Sequence, residues 1–367
     1  MEKKHWVMDY ETLSNCFTGV FEHYKTQETE VFVVHDLQND LVKFISFLKN
    51  NIKNKEWHIS YNGLAFDAQI THYILDNHTL WNNFNGSKIA NIIYKYAQKC
   101  ITKSNNREFN DYPQWEMKVG QIDVFKMQHW DNPAKRSSLK WIQYSMDWQN
   151  IIDMPIHHET EITTQEEIDL ILKYCVNDVK STKEIYNRSK SQIGLRKELT
   201  KEYGMNLFSA SEPRISKEIF GYFLTKKLGI PKRDLKRMRT YRDTIKVKDI
   251  ILPYIKFTSP DFNTLLDRFN SIEVDAMNLK GSFKYNILYK NVNTHFGLGG
   301  VHGAAGKGVY EPEEGMMIMS SDVTSFYPNL AIKNKWSPGH FPVEDFCDQY
   351  EWFFEERKKI PKSNPMN

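Results

Sequence analysis

Short apolar runs alternate with stretches of helical spacing over the first half of the chain. Residues 5–10 read as a buried strand ending in acids, residues 31–34 as a second strand, and residues 19–24 as a segment suited to pair with it. Leu41, Phe44, Ile45 and Leu48 repeat at three and four, the spacing of one helix face. A third strand over 57–61 precedes a helix over 66–75, a further helix near 88–99, a polar loop over 102–114 and a strand over 121–125. The clearest helix spans 165–187. Its apolar residues Ile168, Leu172, Cys175, Val179, Thr182 and Tyr186 step alternately by four and three, and Thr164 with Glu167 forms a capping box at its start. Strands interleaved with helices predict an α/β domain ending near residue 190.

Beyond that point the pattern changes. Residues 191–295 read as a mainly helical, basic region, with ten Lys or Arg against two Asp between 226 and 248. A glycine-rich stretch follows, Phe296-Gly297-Leu298-Gly299-Gly300, and then an apolar run over 316–321 that predicts a strand leading into Asp322. Residues 350–362 predict an amphipathic helix carrying basic residues.

Composition narrows the class. A length of 367 residues fits two or three domains. With 22 Phe, 19 Tyr and 9 Trp the chain is not a disordered one. No apolar run is long enough for a transmembrane helix, so no membrane partner is expected. Met1-Glu2-Lys3-Lys4-His5-Trp6 lacks the apolar core of a signal peptide. The four cysteines are scattered, which argues against a disulfide framework or a zinc site and fits a reducing cytoplasm. A net charge of +3 says little about partners, but the basic tract does: it is either a surface for a phosphate backbone or a solvated helix face.

Three acidic constellations stand out. In Asp9-Tyr10-Glu11 the two carboxylates point to one face of a strand, where a divalent cation between them would relieve their repulsion; alone, the pair equally fits a solvated strand end. Asn62-Gly63-Leu64-Ala65-Phe66-Asp67 follows a strand and opens a helix, so Asn62 or Asp67 also fits a helix cap. Tyr174 and Asp178 lie four apart on the long helix and share a face; alone they read as a packing tyrosine and a surface acid.

Taken together, in this order and at these spacings, the three resemble the exonuclease motifs of family B DNA polymerases of the bacteriophage type. Asp123 on the intervening strand and Ser138-Leu139-Lys140-Trp141-Ile142, similar to the family's DNA-binding segment, extend the likeness. The resemblance implies a ribonuclease H-like α/β domain over 1–190 with 3′–5′ exonuclease activity, of the subtype with tyrosine four residues before the last acid. It implies that Asp9, Glu11, Asp67 and Asp178 ligate two Mg²⁺ ions, for which Mn²⁺ substitutes. Tyr174 would orient the attacking water, and nucleoside monophosphates would be released. Thr12, Asn62 and Phe66 would hold a single-stranded DNA 3′ end, with Ser138 and Leu139 also on DNA. The family's lysine some way before the third motif has no counterpart in Ile152-Asp153-Met154-Pro155-Ile156, so that role is either absent or met by another residue.

Asp322-Val323-Thr324-Ser325-Phe326-Tyr327-Pro328 resembles the first catalytic motif of the same polymerases, implying a mixed α+β start of a palm over 296–367. Asp322 and the Val323 carbonyl would hold metal. Ser325 and Phe326 would face a deoxynucleoside triphosphate, Tyr327 would lie under its sugar, and Gly299 with Gly300 would contact primer-template DNA. By this likeness 205–285 holds an insertion of unassigned role. The family's fingers pattern and its second palm motif are missing. The chain therefore reads as the N-terminal portion of such a polymerase, in a host-cell cytoplasm if phage-encoded, that would need a second polypeptide for nucleotide addition. The competing readings are a non-catalytic DNA-binding or scaffold subunit and a stand-alone 3′–5′ nuclease.

Overall fold

The computed structural model describes residues 5–134, 136–278, 283–297 and 299–361; Leu298 and the tail beyond 361 lie outside the described residues. The chain divides into two compact units, the first running to Phe220 and the second spanning Gly221–Lys359.

The first unit is α/β. Its strands are β1 (His5–Thr12), β2 (Phe17–His23) and β3 (Thr29–Val34), followed by the helix α1 (Leu41–Lys53) and the strand β4 (Trp57–Ser60). Next come α2 (Asp67–Asn77), α3 (Gly86–Asn106), β5 (Gly120–Asp123), the short α4 (Val124–Met127), α5 (Leu139–Ser145), α6 (Gln165–Arg188) and α7 (Lys190–Tyr203). The sheet order is β3-β2-β1-β4-β5; the first three strands are antiparallel and β1-β4-β5 parallel, so the sheet is mixed. Helices cover both faces. Trp6, Met8 and Tyr10 point into one core with Phe17, Phe21, Phe44 and residues of α1, α2 and α3. Val7, Ile59 and Ile122 point into the other with Cys175 and Val179 of α6. That double burial explains why β1 is a continuous apolar run until Asp9.

The expected capping box is present: the Thr164 hydroxyl accepts from the Glu167 amide, and the Glu167 carboxylate accepts from the Thr164 amide. Two expected boundaries move. α3 runs to Asn106, into the stretch expected as a loop, and ends on Arg107 in the left-handed region. The first unit also runs past 190, because α7 docks through the buried Arg196, whose guanidinium donates to the carbonyls of Ala210 and Met127. Ser209 adds to this by donating to the Gln121 carbonyl and accepting from the Asp123 amide.

α8 (Glu212–Leu228) contains the division between the units. The second unit has α9 (Lys232–Arg237), β6 (Thr244–Lys246), α10 (Pro260–Asn270), β7 (Glu273–Asp275), β8 (Lys284–Tyr289), β9 (Val292–Gly297), β10 (Gly300–Ala304), α11 (Phe326–Lys333) and α12 (Val343–Lys358). Between 244 and 297 the chain is thus not mainly helical: β6 pairs with β7, and β8-β9-β10 form an antiparallel sheet. Tyr285, Ile287 and Tyr289 alternate with more exposed neighbours along β8, the period of a strand, and Phe269, Phe296, Val247 and Val274 form the small core beneath. Gly299 and Gly300 lie at the turn between β9 and β10, and the φ of 138° at Gly300 is a conformation glycine tolerates. The strand expected over 316–321 does not form. That segment is irregular and exposed, since an apolar run becomes a strand only with a neighbour to bond, and none of the described strands pairs with it.

Among the described residues no helix is long and apolar enough to cross a membrane.

Candidate active site

Asp9 and Glu11 project from the last part of β1 toward α6. β4 pairs only with residues 5–7 of β1 and ends at Ser60, so the β1 backbone beyond it has no neighbour on that side. Asp67 fills the gap: at the start of α2, its Oδ1 accepts from the Tyr10 amide at 3.2 Å. From the other side α6 brings Tyr174, Cys175 and Asp178. The Cys175 thiol donates to the Asp9 carbonyl at 3.4 Å and lies 3.9 Å from Asp9 Oδ2. Four acids distant in sequence therefore converge with Tyr174 at one end of the sheet.

Their electrostatics reflect the crowding. Burial, then Glu11, Asp67 and Asp178, hold the Asp9 carboxyl well above the usual range. Burial and the same neighbouring acids, Asp178 first, push Glu11 up to about 8. Burial pushes Asp67 up to about 7. Asp178 is also raised by burial, against the opposing effects of Gln143, Tyr174, Lys140 and Asn177. Such a set is unfavourable as four anions and becomes favourable once divalent cations replace the protons.

Asp9, Glu11 and Cys175 present ligand atoms within 4.8 Å of one another, a group that could hold a metal ion. The thiol is a poor candidate for the ligand itself, because burial and the acids around it keep it protonated. The donors that fit are carboxylate oxygens, which suit a hard divalent cation. Burial and the nearby acids likewise raise the Tyr174 phenol, which stays protonated.

The turn before Asp67 is built by Asp123. Its two oxygens accept from the amides of Asn62 and Leu64, at 3.1 and 3.0 Å, and Oδ1 also accepts from Phe125 and Lys126. Asn62 takes a φ of 62°. Gly63 is required by space, since a Cβ there would stand 1.8 Å from Ser60 Oγ. Phe66 is half-buried at the N-terminus of α2, against the aromatic core. Thr12 closes β1 opposite Phe17 and is buried. Ser138 is the N-cap of α5, accepting from the Trp141 amide, and Leu139 packs on the core beneath α6.

Two residues to which the sequence assigned no role beside the acids matter here. Gln143, fully buried on α5, donates to Asp178 Oδ1 at 2.9 Å and to Ser181 Oγ at 2.8 Å, fixing the last acid in place. Lys140, one turn earlier, is a cation that both Glu11 and Asp178 feel, and it also pairs with Asp153. The stretch Ile152–Ile156 holds no lysine, and Lys140 supplies a positive charge from α5. Neither residue carries a local signal; both are brought in by the packing of α5 on α6.

Asp322 and Val323 lie on an exposed irregular segment of the second unit, Ser325 is the left-handed residue that starts α11, and Phe326 and Tyr327 open that helix exposed to solvent. Among the described residues Asp322 belongs to no cluster of metal-ligating side chains. In comparisons with known proteins, no family model and no curated protein matches the chain.

Proposed function

We propose that the first unit is a ribonuclease H-like 3′–5′ exonuclease acting on single-stranded DNA ends, and that the chain is the N-terminal part of a family B DNA polymerase of phage type. The observation that carries this reading is the convergence of Asp9, Glu11, Asp67 and Asp178 around Tyr174, from the end of β1, the start of α2 and the middle of α6. Scattered surface acids do not gather in a half-buried nest whose protons are held this tightly.

The four carboxylates would hold two Mg²⁺ ions. When bound, these would supply an activated water and charge neutralisation at the departing 3′ oxygen. The chain's own groups do the rest. Tyr174, kept protonated, positions the water by hydrogen bonding and does not take its proton. Gln143 and the Tyr10 amide hold Asp178 and Asp67 in register. Lys140 offsets part of the negative charge beside the scissile phosphate. Asn62 and Phe66, carried on the Asp123-braced turn, receive the terminal nucleotides, Phe66 by stacking.

For the second unit, the likeness of Asp322–Pro328 to a polymerase motif supports one carboxylate and a nucleotide-facing helix start, and primer extension by this chain would need a second carboxylate. The exonuclease reading is tested with single-stranded DNA labelled at its 5′ end, incubated with Mg²⁺. Stepwise shortening with release of monophosphates, lost in Asp9→Ala and Asp178→Ala, is the expected result. Equal release by the wild type and both variants would reject it.

A further inference from the structure

Behind the turn that carries Asn62 and Asp67 lie two adjoining cavities, of about 520 and 660 Å³, which share Phe109, Asn110 and Lys126. Each is of the size of an ordinary ligand site. Asn62 and Ala65 line one and Leu64 the other, so the turn that leads into Asp67 forms part of the wall of both.

Three features make this groove more than a surface irregularity. The first is its aromatic content. Phe109 is 95% and Trp115 84% exposed, two large rings on one loop with no core to join. The second is charge. Arg107, Lys126 and Arg136 line one cavity, and Lys126 and Arg214 the other. Glu108 and Asp131 are the acids there; Asp131 sits 4.0 Å from Lys126, while no acid among the described residues pairs with Arg107, Arg136 or Arg214. The third is order. The loop is fastened to the catalytic turn: Asn110 donates to the Leu64 carbonyl at 3.1 Å, and Gln69 on α2 exchanges two hydrogen bonds with the Tyr112 backbone. Asp111 bonds both Lys99 and Lys103 of α3. Exposed rings are thus presented by a pinned loop.

Cations spaced between exposed aromatic faces match a single strand, whose phosphates need counter-charge and whose bases need a surface to stack on, irrespective of sequence. A peptide would leave the arginines unanswered unless it were strongly acidic. We propose that this groove receives the single-stranded DNA several nucleotides upstream of the 3′ end, with bases on Phe109 and Trp115 and phosphates on Arg107, Lys126, Arg136 and Arg214. The inference deepens the exonuclease reading and rests on it for the direction of the strand.

The test uses the full chain in EDTA, where binding is measured without hydrolysis, by fluorescence anisotropy of labelled oligo(dT) of about four and about twelve nucleotides. The wild type binds the longer strand more tightly. Phe109→Ala with Trp115→Ala loses at least about tenfold of that gain, and Arg107→Ala with Arg136→Ala also weakens it and flattens its salt dependence. Thermal melts confirm that both variants fold. A 4-thiothymidine placed upstream of the 3′ end cross-links to the peptide 107–117. Equal binding of both lengths, variants that bind like the wild type, a cross-link elsewhere, or tighter binding of oligo(U) than of oligo(dT) overturns the proposal. Absence of digestion in Mg²⁺, with length-dependent binding intact and lost in the variants, would sink the exonuclease reading and leave the groove standing.

Discussion

Replacing Asp9 by Asn separates a crowded acid nest from an ordinary polar surface. Without cations, folding forces Glu11 and Asp67 to keep protons that the unfolded chain has released: they titrate near 8 and 7 instead of at 4.5 and 3.8. The sign follows. Stability is complete below the unfolded values, near pH 4, and drains as the pH rises through 7 and 8, at up to about 1.4 kcal/mol per group per pH unit. With the share of Glu11, which water reaches, reduced by screening, the combined loss at about pH 8 is on the order of 5 kcal/mol, or roughly 10–20 °C in Tm. Asp9→Asn removes a further carboxyl that burial and all three other acids hold well above its usual range, so in EDTA at about pH 8 the variant should melt above the wild type. Mg²⁺ should raise the wild-type Tm more at about pH 8 than at about pH 6, and should do little for the variant. Scanning fluorimetry in EDTA and in Mg²⁺ at both pH values reads all of this. A wild type indifferent to the cation at the higher pH, or a variant less stable than the wild type in EDTA, would refute the electrostatic argument.

Other consequences concern single positions. Gln143→Ala should cost roughly ten- to a hundredfold in kcat for DNA digestion with a small change in KM, since it frees Asp178 without touching substrate; a KM effect alone would contradict that role. Burial pushes His58 down to about 3, so between its ordinary value of about 6.5 and that figure the unfolded chain takes up a proton that the fold refuses, and stability falls as the pH falls. The difference in urea-unfolding free energy between the wild type and His58→Gln should therefore shrink, by up to about 1.4 kcal/mol per pH unit, as acid is added; a pH-independent difference would show His58 to be charged in the fold. Gly63→Ala should destabilise the first unit and disable the site through collision with Ser60, and adding Ser60→Gly should restore both on thermal melts and digestion assays. No rescue would mean that the glycine serves another purpose.

Much of the first unit was legible because its signals are local. The four-three stripe and capping box of α6 depend on residues within one helix, and the acids of β1 share a face by strand geometry alone. The convergence itself is not local: Asp67 meets β1 because β4 stops at Ser60, a property of the sheet register. Gln143 reaches Asp178 across 35 residues, and Arg196 reaches Met127 across 69, so neither the bracing of the last acid nor the extension of the unit past 190 had a sequence signature. The strands between 244 and 297 did have one, the alternation along β8, which the surrounding basic residues obscured. The apolar run at 316–321 marks the opposite failure, a β-like composition without a strand beside it.

The most direct examination of the acid nest is anomalous diffraction from crystals equilibrated with Mn²⁺. Two peaks about 4 Å apart, ligated by Asp9, Glu11, Asp67 and Asp178, are what this account predicts. A single peak on the Cys175 sulfur, or none among these four side chains, would contradict it.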